Sequence, residues 1–242
     1  MGKERPILFS GPMVDAIQKT RKTQTRRVIK PQPYTNCVRV VPFGDEFLQE
    51  LTGKDDAGED ITFHLANINQ RLKCPYGKRG DHLWVKETHY LYGRWVQNGV
   101  KKNGKPAYRF VPEIKEAMYP DNPPAVIAGR AEMYSGETGW FKRPSIHMPR
   151  WASRILLEIT GVRVERLQAI TEEDAQAEGA PEVCNFCGNH PEDEAHWVCE
   201  EDYDPEPYHR EGFKRLWQSI NGADSWERND WVWVIEFRRV SE

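Results

Sequence analysis

The closing run of the chain, WVWVIEFRRV at residues 231 to 240, alternates rings with aliphatic or charged side chains. A period of two belongs to a strand, because a helix repeats near 3.6 residues and would smear that pattern around its circumference. RILLEITGVRVERL, residues 154 to 167, carries the same signature: it is dense in β-branched and aliphatic residues, and Val162 and Val164 face one way while Arg163 and Glu165 face the other. It reads as a long strand bent at Gly161. A third strand follows the Gly77 to Asp81 turn, with Leu83 and Val85 on one side and His82, Trp84 and Lys86 on the other. Strands need partners, so the chain must build sheet.

Helices are short and scattered between these strands. PILFSGPMVDAIQKT offers a strand and then a helix carrying Met13 and Ile17. In ITEEDAQAEG, Thr171 stands three residues before Asp174 as a cap and Gly179 stops the element, predicting a helix over 171 to 178. REGFKRLWQSI places Phe213, Leu216, Trp217 and Ile220 at helical spacing, ended by Asn221-Gly222. Prolines after Val28 and Gly-rich charged turns make residues 44 to 70 an irregular excursion. The stretch from Tyr92 to Arg143 reads as loop and hairpin insertion, with a strand at Ala107 to Val111. Strands with short helices but no regular βαβ spacing predict an α+β fold built on a small, mostly antiparallel β-barrel. With 242 residues, 38% of them hydrophobic, the chain buries a core without disulfides.

Charge is segregated rather than absent. The net value is −3, but basic residues crowd Arg21 to Lys30 and Arg143 to Arg154, and acids crowd Glu182 to Glu206 with no Lys or Arg among them. RKTQTRR, residues 21 to 27, wedges Lys22 among arginines at a helix exit. Like charge makes a neutral, nucleophilic amine easier to reach, or else forms a phosphate-binding strip. Both point to a nucleotide-like partner. No run approaches the ~20 apolar residues of a membrane span, and MGKERPILFS lacks an apolar signal core, so a cytoplasmic setting and no membrane partner are expected.

The order of these motifs, a helix, RKTQTR, GDHLWVKE, ITEEDAQAEG and the final VWVIEF strand, resembles the ASCH family of PUA-like β-barrels, specifically its longer phage and prophage type. The resemblance covers about residues 5 to 30, 74 to 90, 147 to 180 and 208 to 240. It implies one ASCH-like domain over 1 to 242 with insertions at about 31 to 73, 92 to 143 and 181 to 207. Within that family, the small bacterial N4-acetylcytidine amidohydrolases use a lysine and a threonine of a GRKTxT motif and a later glutamate. By motif these fall on Lys22, Thr25 and Glu178 as catalytic residues, with Thr20 where the motif usually has glycine. The chemistry agrees: at a helix C-terminus the dipole favours the protonated form of Glu178, suiting it to acid–base work. Lys22 would attack an acyl carbon or orient water, and Thr25 would donate to a developing oxyanion.

Arg21, Arg26 and Arg27 from the first basic run, and His147, Arg150, Trp151 and Arg154 from SIHMPRWASR, are the candidate substrate contacts, since a nucleotide site combines cations with a ring. Trp84 and Trp233 are further stacking candidates, with core packing as the alternative. Cys184-x2-Cys187 and His196-x2-Cys199 are two ligand pairs eight residues apart, a spacing that closes a structural zinc site, with His190 as a competing ligand and free thiols as the alternative. Cys37 and Cys74 have no paired spacing and are expected to be buried thiols. No organic cofactor is expected. The expected partner is a modified pyrimidine nucleoside, a nucleotide or RNA, and the function is hydrolysis of an N-acyl amide such as that of N4-acetylcytidine. A non-catalytic RNA or modified-base reader and a ribonuclease using His147 and Lys22 are the alternatives.

Overall fold

A computed structural model of the protein describes residues 2–34, 37–54, 59–64, 71–183 and 209–240. In chain order the elements are β1 (Glu4–Leu8), α1 (Gly11–Gln18), β2 (Gln24–Val28), β3 (Cys37–Phe43), β4 (Glu46–Lys54) and β5 (Asp60–His64). There follow β6 (His82–Lys86), β7 (His89–Val100), β8 (Pro106–Met118), α2 (Arg130–Ser135), β9 (Gly139–Arg143), β10 (Leu156–Arg166), α3 (Glu172–Ala177), α4 (His209–Asn221) and β11 (Trp231–Arg239). The described residues are mixed α+β with 44% strand. Among the described residues the strands form several sheets, none of which closes into a barrel.

The chain divides into two compact units. The first takes Met1–Lys3, Ala16–His82 and Glu158–Ser241. Here β11 lies between β10 and β2. It pairs antiparallel with β2, which sets Ile235 opposite Thr25, Val234 opposite Arg26 and Trp233 opposite Arg27. Val232 and Val234 of β11 are fully buried against Leu167, Ile170, Ala175, Phe213 and Trp217, so α3 and α4 cover one face of this sheet. Phe213 and Trp217 sit four residues apart and share one side of α4. Burying each such ring stabilises the fold by about 1.5–3 kcal/mol. Ile220, expected on that side, is 55% exposed, because the helix ends at Asn221 beyond the reach of the core. The α3 cap is as expected: the Thr171 hydroxyl accepts from Asp174 N at 3.1 Å.

Residues 44 to 70 are expected to be irregular, but Glu46–Lys54 and Asp60–His64 within them are strands that join Cys37–Phe43 in the antiparallel sheet β3-β4-β5. Two local features hide its period. The register of β3 shifts between Cys37 and Arg39, and the buried face of β4 reads Phe47, Gln49, Leu51, so an amide interrupts the apolar alternation. The second unit takes Glu4–Asp15 and Leu83–Leu157. In it Leu83 and Val85 of β6 are buried as the alternation predicts, and β7 is flanked by β8 and β9. The long β7–β8 hairpin extends well past the short strand expected there. Gln97 to Val100 of β7 and Pro112 to Glu116 of β8 are exposed in unbroken runs, so these stretches carry no apolar period to detect.

Candidate functional site

Lys22 and Glu178 meet. In the first unit, Thr23 N donates to Ala177 O at 2.8 Å and Lys22 forms an isolated antiparallel bridge with Glu178, docking the end of α3 onto the approach to β2. Two backbone reversals make this possible. Gly179 adopts φ +71°, and a Cβ there would stand 3.1 Å from Lys22 Cβ. On the other side of the bridge, Thr20 adopts φ 58°, which lets Arg21 N and Lys22 N both return to Ala16 O, at 2.8 and 3.0 Å. This is the αL position where glycine is favoured, and a β-branched residue there is strained.

Lys22 Nζ donates to Glu178 Oε2 at 2.8 Å and to the Glu178 carbonyl at 2.7 Å. The two side chains are 0% and 4% exposed. Burial pushes the Lys22 amine below its usual range despite the attraction of the Glu178 carboxylate, with Arg27 and Arg26 adding to the depression. The other carboxylate oxygen of Glu178 accepts from Arg26 Nη1 at 3.3 Å. Arg26 Nη2 continues to Asp174 at 2.7 Å and Glu165 at 3.1 Å. Gln24 also reaches Asp174, through its carbonyl at 2.7 Å and its carboxylate at 3.1 Å. Arg163 of β10 binds Asp174 with two bonds and also contacts Glu165 and Glu236. Burial opposes ionisation of Asp174, yet the bonds and charges of Arg26 and Arg163, with Gln24, hold its carboxyl below the usual range.

A continuous charged cluster results, in which Lys22, Arg26 and Arg163 face Glu165, Asp174, Glu178 and Glu236. Sequence reading finds Lys22, Arg26 and Glu178 but misses Gln24, Arg163, Glu165, Asp174 and Glu236. The polar side of the β10 alternation, Arg163 and Glu165, is the signal that marks two of them. Chemically, a depressed amine in contact with a carboxylate can exchange a proton with it. Of the remaining members of the first basic run, Arg27 stays near enough to act on Lys22 and to be acted on by Glu178. The pleat sends Gln24 and Arg26 to one face of β2 and Thr25 and Arg27 to the other. Thr25 is buried, Arg21 is exposed, and burial depresses the Arg27 guanidinium, with Tyr76 and Glu178 opposing.

The second candidate set belongs to the second unit, where acids meet its arginines. Arg154 grips the buried Glu87 through two bonds of 3.0 Å and Asp121 at 2.8 Å, and lies 3.9 Å from the Tyr119 ring centroid. Arg150 pairs with Glu4 at 2.7 Å. His147 is exposed, and Trp151 is 36% exposed on its short 3-10 turn. Cys37 and Cys74 are buried free thiols, as expected. Cys184, Cys187, His196 and Cys199, with His190, lie outside the described residues. Among the described residues no group of three or more His, Cys, Asp or Glu side chains is arranged to hold a metal, and no helix is long and apolar enough to cross a membrane. No family model, curated protein or solved structure matches the chain.

Proposed function

We propose that the chain is an ASCH-type, PUA-like protein that binds a modified pyrimidine nucleoside or nucleotide and hydrolyses its N-acyl amide at Lys22 and Glu178. One observation carries the reading: an amine and a carboxylate 156 residues apart stand 2.8 Å from each other, at the two positions that the motif resemblance assigns to catalysis. Burial depresses the Lys22 amine below its usual range, which makes its proton easier to give up. Glu178 takes a proton from water as the oxygen bonds to the acyl carbon. The resulting oxyanion is stabilised by Lys22. As the C–N bond breaks, the proton passes to the exocyclic nitrogen, leaving a free amine and a carboxylic acid. Turnover of N4-acetylcytidine by the intact chain, lost by more than about a hundredfold in Lys22→Ala and Glu178→Gln, is the expected result. Undiminished turnover in both variants disproves the assignment.

Two observations favour a second reading, a reader that binds the modified base without cleaving it. The Lys22 side chain is wholly enclosed, and the strand pleat turns Thr25 away from Gln24 and Arg26. In that case the intact chain retains N4-acetylcytidine and releases no cytidine. A structural zinc held by Cys184, Cys187, His196 and Cys199 is also proposed on their spacing. It predicts one zinc per chain, lost in Cys184→Ser.

A further inference from the structure

The first unit holds a cavity of about 510 Å³, within the roughly 300–1,000 Å³ range of small-molecule sites. Lys30, Arg71 and Lys73 line it, together with the rings of Tyr34 and Trp233, and no acidic residue is among its described lining. In a chain whose acids outnumber its Lys and Arg, 37 against 34, these three cations, Arg71 among them paired with Glu46 beyond the lining, give the cavity a local anion preference. Lys30 and Lys73 are exposed. Arg71 is tethered at the edge by Glu46 at 3.6 Å and by its position 4.5 Å from the Phe43 ring centroid.

The walls are pinned before any ligand arrives. Gln32 bridges both sides of the β2–β11 exit, donating to Ile29 O at 2.8 Å and Trp231 O at 3.0 Å and accepting from Trp231 N at 2.8 Å. Tyr34 N donates to the buried Gln49 amide oxygen at 2.9 Å. Leu72 exchanges two backbone bonds with Phe47, at 2.8 and 2.9 Å, which fixes the segment that presents Arg71 and Lys73. Trp233 is held edge-on by Phe47 with centroids 5.3 Å apart, and Tyr34 is 48% exposed. Such preorganisation lowers the ordering cost of binding.

We infer that this cavity is a binding site for a small ligand joining a flat heterocycle to a phosphate, of the nucleoside monophosphate class. The phosphate would meet the guanidinium of Arg71 and the two ammonium groups, and the heterocycle would lie on Tyr34 above Trp233. Three cations match the charge of a phosphate better than that of a single carboxylate. The cavity's volume matches a mononucleotide. This inference goes beyond amide hydrolysis, because none of Lys22, Thr25 and Glu178 lines the cavity. Trp233 also sits directly across from Arg27, on the face of β2 that Gln24 and Arg26 do not use.

Calorimetric titration of the full chain with CMP, AMP, cytidine, inorganic phosphate and benzoate tests it. The expected result is saturable binding of a monophosphate at one site, with cytidine and phosphate each at least tenfold weaker. The Arg71→Gln/Lys73→Gln double variant, altered only at the cavity edge, should weaken monophosphate binding by roughly tenfold to a hundredfold, and Tyr34→Ala should weaken it further. Absence of saturation by either monophosphate at millimolar concentration overturns the inference. So does affinity unchanged in the double variant, or benzoate binding as tightly as the nucleotides. Failure of acylcytidine turnover alone leaves this result standing, so the two readings fail separately.

Discussion

The first unit places cations in two contrasting settings. Around Lys22 and Arg26 every charge is met by an opposite one, side-chain exposure falls to 0%, and three cations are woven through four carboxylates. At the cavity, Lys30 and Lys73 reach solvent and the described lining has no acid. Cations in the first setting are committed to holding α3 against β2 and β10. Those in the second retain electrostatic capacity for a visitor. Positive charge in a sequence therefore does not name a binding site; the acids that fold against it decide.

The contrast is sharpest if a buried partner is removed. Glu178→Gln leaves Lys22 and Arg26 short of a buried carboxylate and should cost about 3–5 kcal/mol in denaturant unfolding. The Lys22→Met/Glu178→Leu pair should cost less than the sum of its single changes. A loss under about 1 kcal/mol for Glu178→Gln would show the cluster to be no more than a surface pair. Next, Asp174→Asn weakens its contacts with Arg26 and Arg163, an expected loss of about 1.5–3 kcal/mol. Because the folded state holds Asp174 below its ordinary value, the unfolded chain binds the extra proton. That contribution is complete above about pH 3.9 and disappears as pH falls through the lower folded value. Acid titration of stability should therefore be flatter in Asp174→Asn than in the parent.

Smaller effects probe the frame and the edge. Thr20→Gly should relieve the left-handed strain and raise stability by about 1 kcal/mol, read as a higher melting temperature. A fall would mean that the Thr20 hydroxyl bond to Lys19 O, 2.7 Å, outweighs the backbone strain. Arg150→Ala, which breaks an exposed pair with Glu4, should change stability by less than about 1 kcal/mol. Arg71→Gln/Lys73→Gln should change it by no more than about 0.5 kcal/mol. A larger loss would move the cavity cations into the structural class and erase the contrast.

Much of the local architecture is legible in the chain. The β6 alternation, the Thr171 cap, the Gly179 stop and the Phe213–Trp217 face of α4 are short-range consequences of residue type and spacing. The β3-β4-β5 sheet is not, because Gln49 occupies a buried position that an apolar pattern would have filled and the Cys37/Arg39 bulge breaks the count. Within the site, Lys22 and Glu178 are indicated by motif, and the fold brings the two side chains into contact. Asp174 stands out in the sequence only as a helix-cap neighbour, yet Gln24, Arg26 and Arg163 all converge on it. Its role depends on strands that are adjacent only after folding.

By itself the amino-acid order determined the period of β6, β10 and β11, the ends of α3 and the segregation of charge, since these arise among neighbours a few residues apart. Tertiary structure alone decided which charges are neutralised. Glu178 closes on Lys22 across 156 positions while Lys30, Arg71 and Lys73 gather around an open cavity, because Coulomb energy and desolvation depend on distance and burial in space, and neither is written along the chain.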